Sequence, residues 1–380
     1  MSGDDALHFA ADDIFQSIYS SFSTLGYNES NIRDRYTFRA YPEDAFPWPQ
    51  LSSREVETAS SLDVLVYLFM GQESIPIDWV VRSLGFRLFS EMQELRLIRL
   101  EEGGRTCLAT VRIEPVDDLL ICADLVPTQL PARPDLVYRP WDPSAQLYMQ
   151  IIPKTNCENL LEMCCGTAYV CLTAARHYAQ STFGVDISPR AIQFAEFNKK
   201  LNAAENVRTY CGDLFRPIES STFDRIVAHP PHIPALKDVM LFKDAGVDGE
   251  RISADLIRSV PHHLADGGEF HSYLMLSDRV DAPAERRVRD FLGGCNPDFD
   301  VSLFILEEKS TNSPLLRRAG TDPFSEENQQ LREACRKLGI TKLLSTVLTI
   351  RSRRRSLPET LRYRAASWQT VAAVTGRHHS

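Results

Sequence analysis

The chain has 380 residues, with 43% apolar and 24% charged residues and a formal net charge of −9. That is ordinary for a globular protein of two or three units, and the acidity argues against broad affinity for nucleic acid while leaving room for a local basic patch. No apolar run reaches the length of a membrane span, and the opening Met1-Ser2-Gly3-Asp4-Asp5-Ala6 lacks the basic and apolar regions of a signal peptide, so a cytoplasmic protein without membrane contact is expected.

Nine cysteines, most of them inside apolar runs, are expected to be free thiols. The spacing of Cys157, Cys164, Cys165 and Cys171 matches no zinc pattern, and no metal is expected.

In chain order, Leu7, Ile14, Ile18 and Phe22 recur near helical spacing, which predicts a packing helix across 6–25 ended by Gly26. The polar stretch that follows carries Pro42, Pro47 and Pro49 and reads as a linker or an extended wrap, closing an N-terminal segment 1–53. Residues 54–125 read as one small unit, with helices over 62–69, 77–84 and 88–97 and a hairpin about Gly103-Gly104. Three helices and a hairpin make a winged-helix-like pattern. Such a unit either reads DNA or serves as an accessory module that shapes a pocket or pairs two subunits into a homodimer. Its third helix balances Arg87 and Arg96 against Glu91 and Glu94, poorer in basic and amide groups than a DNA-reading helix, which favours the accessory role. Residues 126–158 connect this unit to the rest, stiffened by Pro127, Pro131, Pro134, Pro140 and Pro143. Within them Tyr138 and Trp141 either form a flap on the substrate side or are aromatics of a surface loop. A helix is expected over 146–152.

The stretch 159–234 carries the chemistry. Leu160 to Met163 reads as a strand, with Gly166 and Thr167 turning the chain toward a helix. Phe183 to Val185 leads into Asp186 about 20 residues on, where a ribose-binding acid is expected. Ser188-Pro189 then starts a helix as N-cap and first residue. Asp213 closes a third strand, placed to accept from an adenine amino group. Ile226 to Ala228 closes a fourth, directly before His229-Pro230-Pro231-His232. Apolar runs that end in small or acidic turns describe a doubly wound parallel sheet with a ligand site at the carboxyl ends of its strands. Further strands are expected over 269–276, 300–306 and 343–350, with helices over 252–264, 284–292 and 326–338. Asp248 and Glu250 are expected to favour the start of the first of these helices. The catalytic domain is thus placed at 159–355 and a tail at 356–380. Arg351, Arg353, Arg354 and Arg355 form either a phosphate-binding patch or a charged guard on an edge strand.

As an ordered set, these segments resemble a class I S-adenosylmethionine (SAM)-dependent methyltransferase. The nearest branch is the small-domain methyltransferases, whose fourth strand ends in Asn-Pro-Pro-Tyr or Asn-Pro-Pro-Phe and which include release-factor glutamine and rRNA guanine-N2 methyltransferases. The resemblance implies an α/β, doubly wound, Rossmann-like seven-stranded methyltransferase sheet. It implies SAM as cofactor, held by Glu162, Cys164, Gly166, Thr167, Asp186, Ile187, Asp213 and Leu214, with His229 beside it. It also implies transfer to nitrogen. Two departures stand out. Cys164 and Ala168 occupy positions where the family writes glycine, and His229 and His232 replace the asparagine and the aromatic residue.

His229, His232 and Asp244 are therefore the expected catalytic residues, and Tyr138, Trp141, Pro230 and His232 the expected substrate contacts. A neutral His229 accepts a hydrogen bond through one ring nitrogen, or acts as a general base. The loss of the family asparagine points to a small-molecule acceptor of natural-product type. The alternatives are a methyltransferase acting on RNA or protein, and a SAM-binding protein that transfers no methyl group, through aminocarboxypropyl chemistry for example.

Overall fold

A computed structural model describes residues 7–36, 59–101, 103–125, 133–237, 239–313, 322–353, 360–364 and 371. Its centre is an eight-stranded sheet. The strands are β6 (Cys157–Met163), β7 (Ala179–Asp186), β8 (Val207–Cys211), β9 (Phe223–Ala228), β10 (Leu264–Arg279), β11 (Phe299–Ser310), β12 (Ile340–Ser352) and β13 (Thr360–Arg364), in the order β13-β11-β12-β10-β9-β6-β7-β8. From β8 to β10 neighbouring strands run parallel, and β12 runs antiparallel to both β10 and β11. Seven strands answer the expected Rossmann-like methyltransferase sheet. The eighth, β13, pairs parallel with the outer side of β11, in residues read from sequence as tail.

The inner strands follow from composition. Leu160, Leu161 and Met163 of β6 and Ile226, Val227 and Ala228 of β9 are almost wholly buried, as strands covered on both faces must be. One face packs Leu161, Phe223, Phe270 and Leu348 against helices α9 (Arg251–His263) and α10 (Ala284–Leu292); the other packs Leu160, Val227 and Val347 against α6 (Pro143–Ile151) and α7 (Tyr169–His177). The chain runs outward from β6 through β7 and β8, then returns to β9 on the other side. Strand order therefore reverses at β6, and the crevice beyond its carboxyl end is the position where such sheets bind ligands.

Ahead of this sheet lie α1 (Asp12–Thr24), α2 (Glu29–Arg35), α3 (Ser61–Phe69), α4 (Ile77–Leu84) and α5 (Phe86–Glu94). Strands β1 (Ile75–Pro76), β2 (Ile98–Leu100) and β3 (Thr106–Ala109) form a small sheet in the order β1-β3-β2. Helix α2 corrects the reading of this stretch as linker or extended wrap: Asn28 accepts from Asn31 N at 2.9 Å and caps a turn that buries Ile32. The prolines 42, 47 and 49 lie outside the described residues. Helix α3 starts with a capping box in which Ser60 and Asp63 satisfy each other's backbone N–H groups.

A second hairpin, β4 (Arg112–Val116) and β5 (Leu119–Ala123), which the sequence reading did not anticipate, follows the first. Its buried Arg112–Glu114 pair is completed by Arg112 donating to Met70 O at 2.6 Å and by Glu114 accepting from Trp141 N at 2.7 Å. A buried ion pair is tolerated only with such further bonds. One continuous hydrophobic cluster runs from Phe15, Phe22 and Phe69 through Ile113 and Ile121 to Leu172, Phe194 and Phe197. It joins the N-terminal unit to α7 and to α8 (Pro189–Leu201) of the catalytic sheet.

Candidate active site

The turn after β6 is wound tightly. Cys164, Gly166 and Ala168 all hold left-handed φ values, of 59°, 51° and 57°. At Cys164 and Ala168 a side chain sits where glycine carries no penalty, at a cost of roughly 1–2 kcal/mol each. The residues the family replaces with glycine are therefore the strained ones. Helix α7 begins straight after Ala168, and its Cys171 N–H donates to the Glu162 carboxylate at 2.8 Å.

Glu162 is 4% exposed, and burial pushes its carboxyl up to about 8 against the partial offset of that N–H. Between its ordinary 4.5 and about 8, the folded protein holds a proton that the unfolded chain releases, so stability falls as pH rises through this window. Glu162→Gln keeps the acceptor and removes the titration. Its melting temperature should gain on the wild type steadily between pH 5 and 8; a constant difference would contradict the assignment.

Asp186 ends β7 and organises the turn. One carboxylate oxygen accepts from Gly166 N and the other from Ser188 N, both at 2.9 Å. Burial pushes this carboxyl upward, the two N–H donors working against it. Ile187 follows, 52% exposed, and exposed Asp213 and half-buried Leu214 stand after β8. A side chain at Gly166 would project into open space. An acid committed to the turn, an exposed apolar residue beside it and a second acid beyond fit a ribose, an adenine ring and its amino group. SAM suits this donor set.

Beyond β9 the chain enters His229-Pro230-Pro231-His232. His229 packs its ring 5.2 Å from Tyr148, 5.3 Å from His232 and 5.3 Å from Tyr273, and the rings of His232 and Tyr273 lie 5.1 Å apart. Burial, with the neighbouring His232, pushes His229 down to about 3; burial also lowers His232. His232 Nδ1 lies 3.0 Å from Pro230 O, which makes it the protonated nitrogen and leaves Nε2 to accept. Tyr148 and Tyr273, on α6 and β10, were not anticipated, because nothing local in the sequence links them to the turn.

The segment after the turn folds back on it. Ile233 N donates to Lys243 O at 2.7 Å and Ala235 N to Gly246 O at 2.8 Å. Asp244, 2% exposed, accepts from Val239 N and Met240 N at 3.0 and 2.9 Å, so its carboxylate is committed to this loop. Gly249, at φ 71°, approaches His232 so closely that a Cβ would sit 2.5 Å from its carbonyl oxygen. The loop is clamped there by Asp248 pairing with Arg279, and by Glu250 pairing with Arg279 and Arg287 and accepting from Ser277 N. Asp248 also accepts from Glu250 N at 3.0 Å, at the N-cap of α9 as expected, and the pairs with Arg279 and Arg287 tie the same acids to β10 and α10. Tyr138, 47% exposed, stacks on Phe242 at 5.5 Å, next to Lys243, whose carbonyl accepts from Ile233 N after the turn, and Val239 and Leu241 of the same segment are exposed. Trp141 faces the N-terminal unit instead, its Nε1 donating to Pro115 O at 2.9 Å and Arg33 lying over its ring.

Residues 137–295 match the methyltransferase small domain family. A relative from Methanocaldococcus jannaschii, assigned as a protein N5-glutamine methyltransferase, is 32% identical over 138 residues, 35% of this chain and 68% of that protein. The ribosomal protein uL3 glutamine methyltransferase of Bradyrhizobium diazoefficiens is 32% identical over 127 residues, 30% of this chain and 40% of its own. The release factor glutamine methyltransferase of Thermodesulfovibrio yellowstonii is 27% identical over 121 residues, 29% and 43% respectively. The chain thus spans well under half of the latter two. These relatives are named for protein substrates, which overturns the expectation of a small-molecule acceptor and partner. The sheet, the turn and these matches place the chain in the methyltransferase small domain family, as a SAM-dependent methyltransferase of class I.

Proposed function

We propose that this enzyme methylates a protein on a side-chain nitrogen, the carboxamide of a glutamine being the acceptor. The observation that carries this reading is the run of relatives named for glutamine methylation of proteins. Exposed Tyr138, Val239 and Leu241, at the segment that follows the turn, support it, since a peptide segment needs an open, apolar approach.

SAM supplies an electrophilic sulfonium methyl group. The chain's own residues have to orient the acceptor and keep water away. A carboxamide nitrogen presents two N–H groups. A neutral His229 offers a ring nitrogen to one, and a main-chain carbonyl of the turn serves the other. At about 3, its ring is too weakly basic to take a proton at neutral pH, so we assign it orientation rather than general-base work. Tyr148, His232 and Tyr273 wall the same space.

We take the N-terminal unit as a winged-helix-type accessory module. Its third helix, α5, packs on α1, with Ser17 Oγ donating to both Glu91 oxygens at 2.8–2.9 Å, and its Arg87 pairs with Glu91 rather than standing alone as a cation for DNA. The free thiols of all nine cysteines suit a reducing cytoplasm, and no helix among the described residues is long and apolar enough to cross a membrane.

Incubating the enzyme with isotope-labelled SAM and a set of ribosomal proteins and release factors should place label in protein, on glutamine by fragment mass. Label confined to the small-molecule fraction of a lysate would overturn the reading.

A further inference from the structure

Helix α8 carries two buried asparagines one turn apart, Asn198 at 0% and Asn202 at 3% exposure. Their carboxamides treat β5 as a neighbouring strand would. Asn202 accepts from Leu120 N at 2.9 Å and donates to Leu120 O at 2.8 Å; Asn198 accepts from Cys122 N at 2.7 Å and donates to Cys122 O at 2.9 Å. This satisfies one edge of β5, whose other edge pairs with β4, and it locks the N-terminal unit onto the catalytic domain.

The two asparagines differ in one respect. Asn198 Nδ2 also donates to Thr167 O at 3.1 Å, while Asn202 spends its spare donor on Asn198 O in its own helix. Thr167 lies between Gly166 and Ala168 in the strained turn after β6. A single buried carboxamide therefore touches the N-terminal unit on one side and the cofactor turn on the other. Thr167 is itself 5% exposed, so its carbonyl has little access to water as an alternative partner.

We infer that Asn198 is a positioning residue for SAM, through which the docked β4–β5 hairpin holds the cofactor turn in its binding conformation. The turn pays for left-handed backbone at Cys164 and Ala168, so it relaxes unless its carbonyl groups are held from outside. Asn198 does not touch the cofactor; it acts by fixing Thr167. The inference rests on SAM binding at this turn, not on the identity of the acceptor protein.

The sister asparagine supplies the control. Asn198→Leu and Asn202→Leu each remove a pair of bonds to β5, but only the first releases Thr167. In the full-length protein, calorimetry should show SAM affinity reduced on the order of tenfold for Asn198→Leu and less than about twofold for Asn202→Leu, the first figure being that of a lost buried hydrogen bond. Hydrogen exchange on the SAM-free proteins should show faster exchange at 166–168 in the first variant and wild-type rates there in the second. Should Asn198→Leu fail to fold, Asn198→Ser shortens the side chain while keeping polarity and is read the same way. Equal losses in the two positions would reduce Asn198 to a clasp between units, and wild-type affinity with wild-type exchange in a folded Asn198 variant would overturn the inference outright.

Discussion

Turnover should fall roughly 10- to 150-fold when His229 is replaced by alanine, with SAM affinity nearly unchanged. The ring packs among Tyr148, His232 and Tyr273, past the carboxyl end of β9 and away from Asp186, which organises the cofactor turn. Losing one orienting hydrogen bond in a water-poor site costs about 1.5–3 kcal/mol, which sets that range. A true general base would cost more, up to about 10⁴-fold. The pH profile separates the two roles. The sequence alone does not fix where His229 titrates; it says only that activity is lost as acid protonates the ring. Burial and His232 move that event down to about 3, so above pH 5 the ring stays neutral and should impose no acid limb on the rate. His229→Asn should then recover much of the activity lost in His229→Ala, because an amide oxygen also accepts. A limb between pH 6 and 7 that disappears in His229→Asn would restore the general base. Full activity in His229→Ala would remove the residue from the reaction.

The second large effect is on the cofactor. Asp186→Ala should weaken SAM binding by about 1.5–3 kcal/mol, roughly 10- to 150-fold. Two consequences of the substitution add. It removes the carboxylate placed to meet the ribose hydroxyls, and it strands Gly166 N and Ser188 N, which it now holds at 2.9 Å. Asp186→Asn keeps one acceptor oxygen and should fall between. Calorimetry on the folded variants is the measurement, and an unchanged affinity in Asp186→Ala would place the cofactor elsewhere.

Much of the fold was legible from local pattern. Leu160 to Met163, Phe183 to Val185 and Ile226 to Ala228 are short apolar runs ending in small or acidic residues, and strands buried on both faces must read that way. The turn at Gly166, the acid at Asp186 and the cap at Ser188 were visible for the same reason: each is a local demand of backbone geometry met by a residue near it in sequence. Helix α2 and strand β13 were not legible, since each is short and owes its existence to what it packs or pairs with, Ile32 in the first cluster and β11 at the sheet edge. Asp244 and Glu250 read as acids near a catalytic turn. Asp244 is taken up locally by Val239 N and Met240 N, five and four positions before it, whereas only the fold brought Arg279 and Arg287 to Glu250.

The amino-acid sequence by itself determined the doubly wound sheet, the cofactor turn and the position of His229-Pro230-Pro231-His232, because these depend on residues within a few positions of one another. The tertiary structure decided what those residues are chemically. It buried His229 against Tyr148 and Tyr273, some 81 and 44 positions away, and so took its ring out of the physiological titration range. It buried Glu162 and so raised its carboxyl toward neutrality. It set Asn198 between β5 and Thr167. Protonation and hydrogen-bond partnership depend on which distant groups exclude water from a site, and that is a property of packing, which no local stretch of sequence carries.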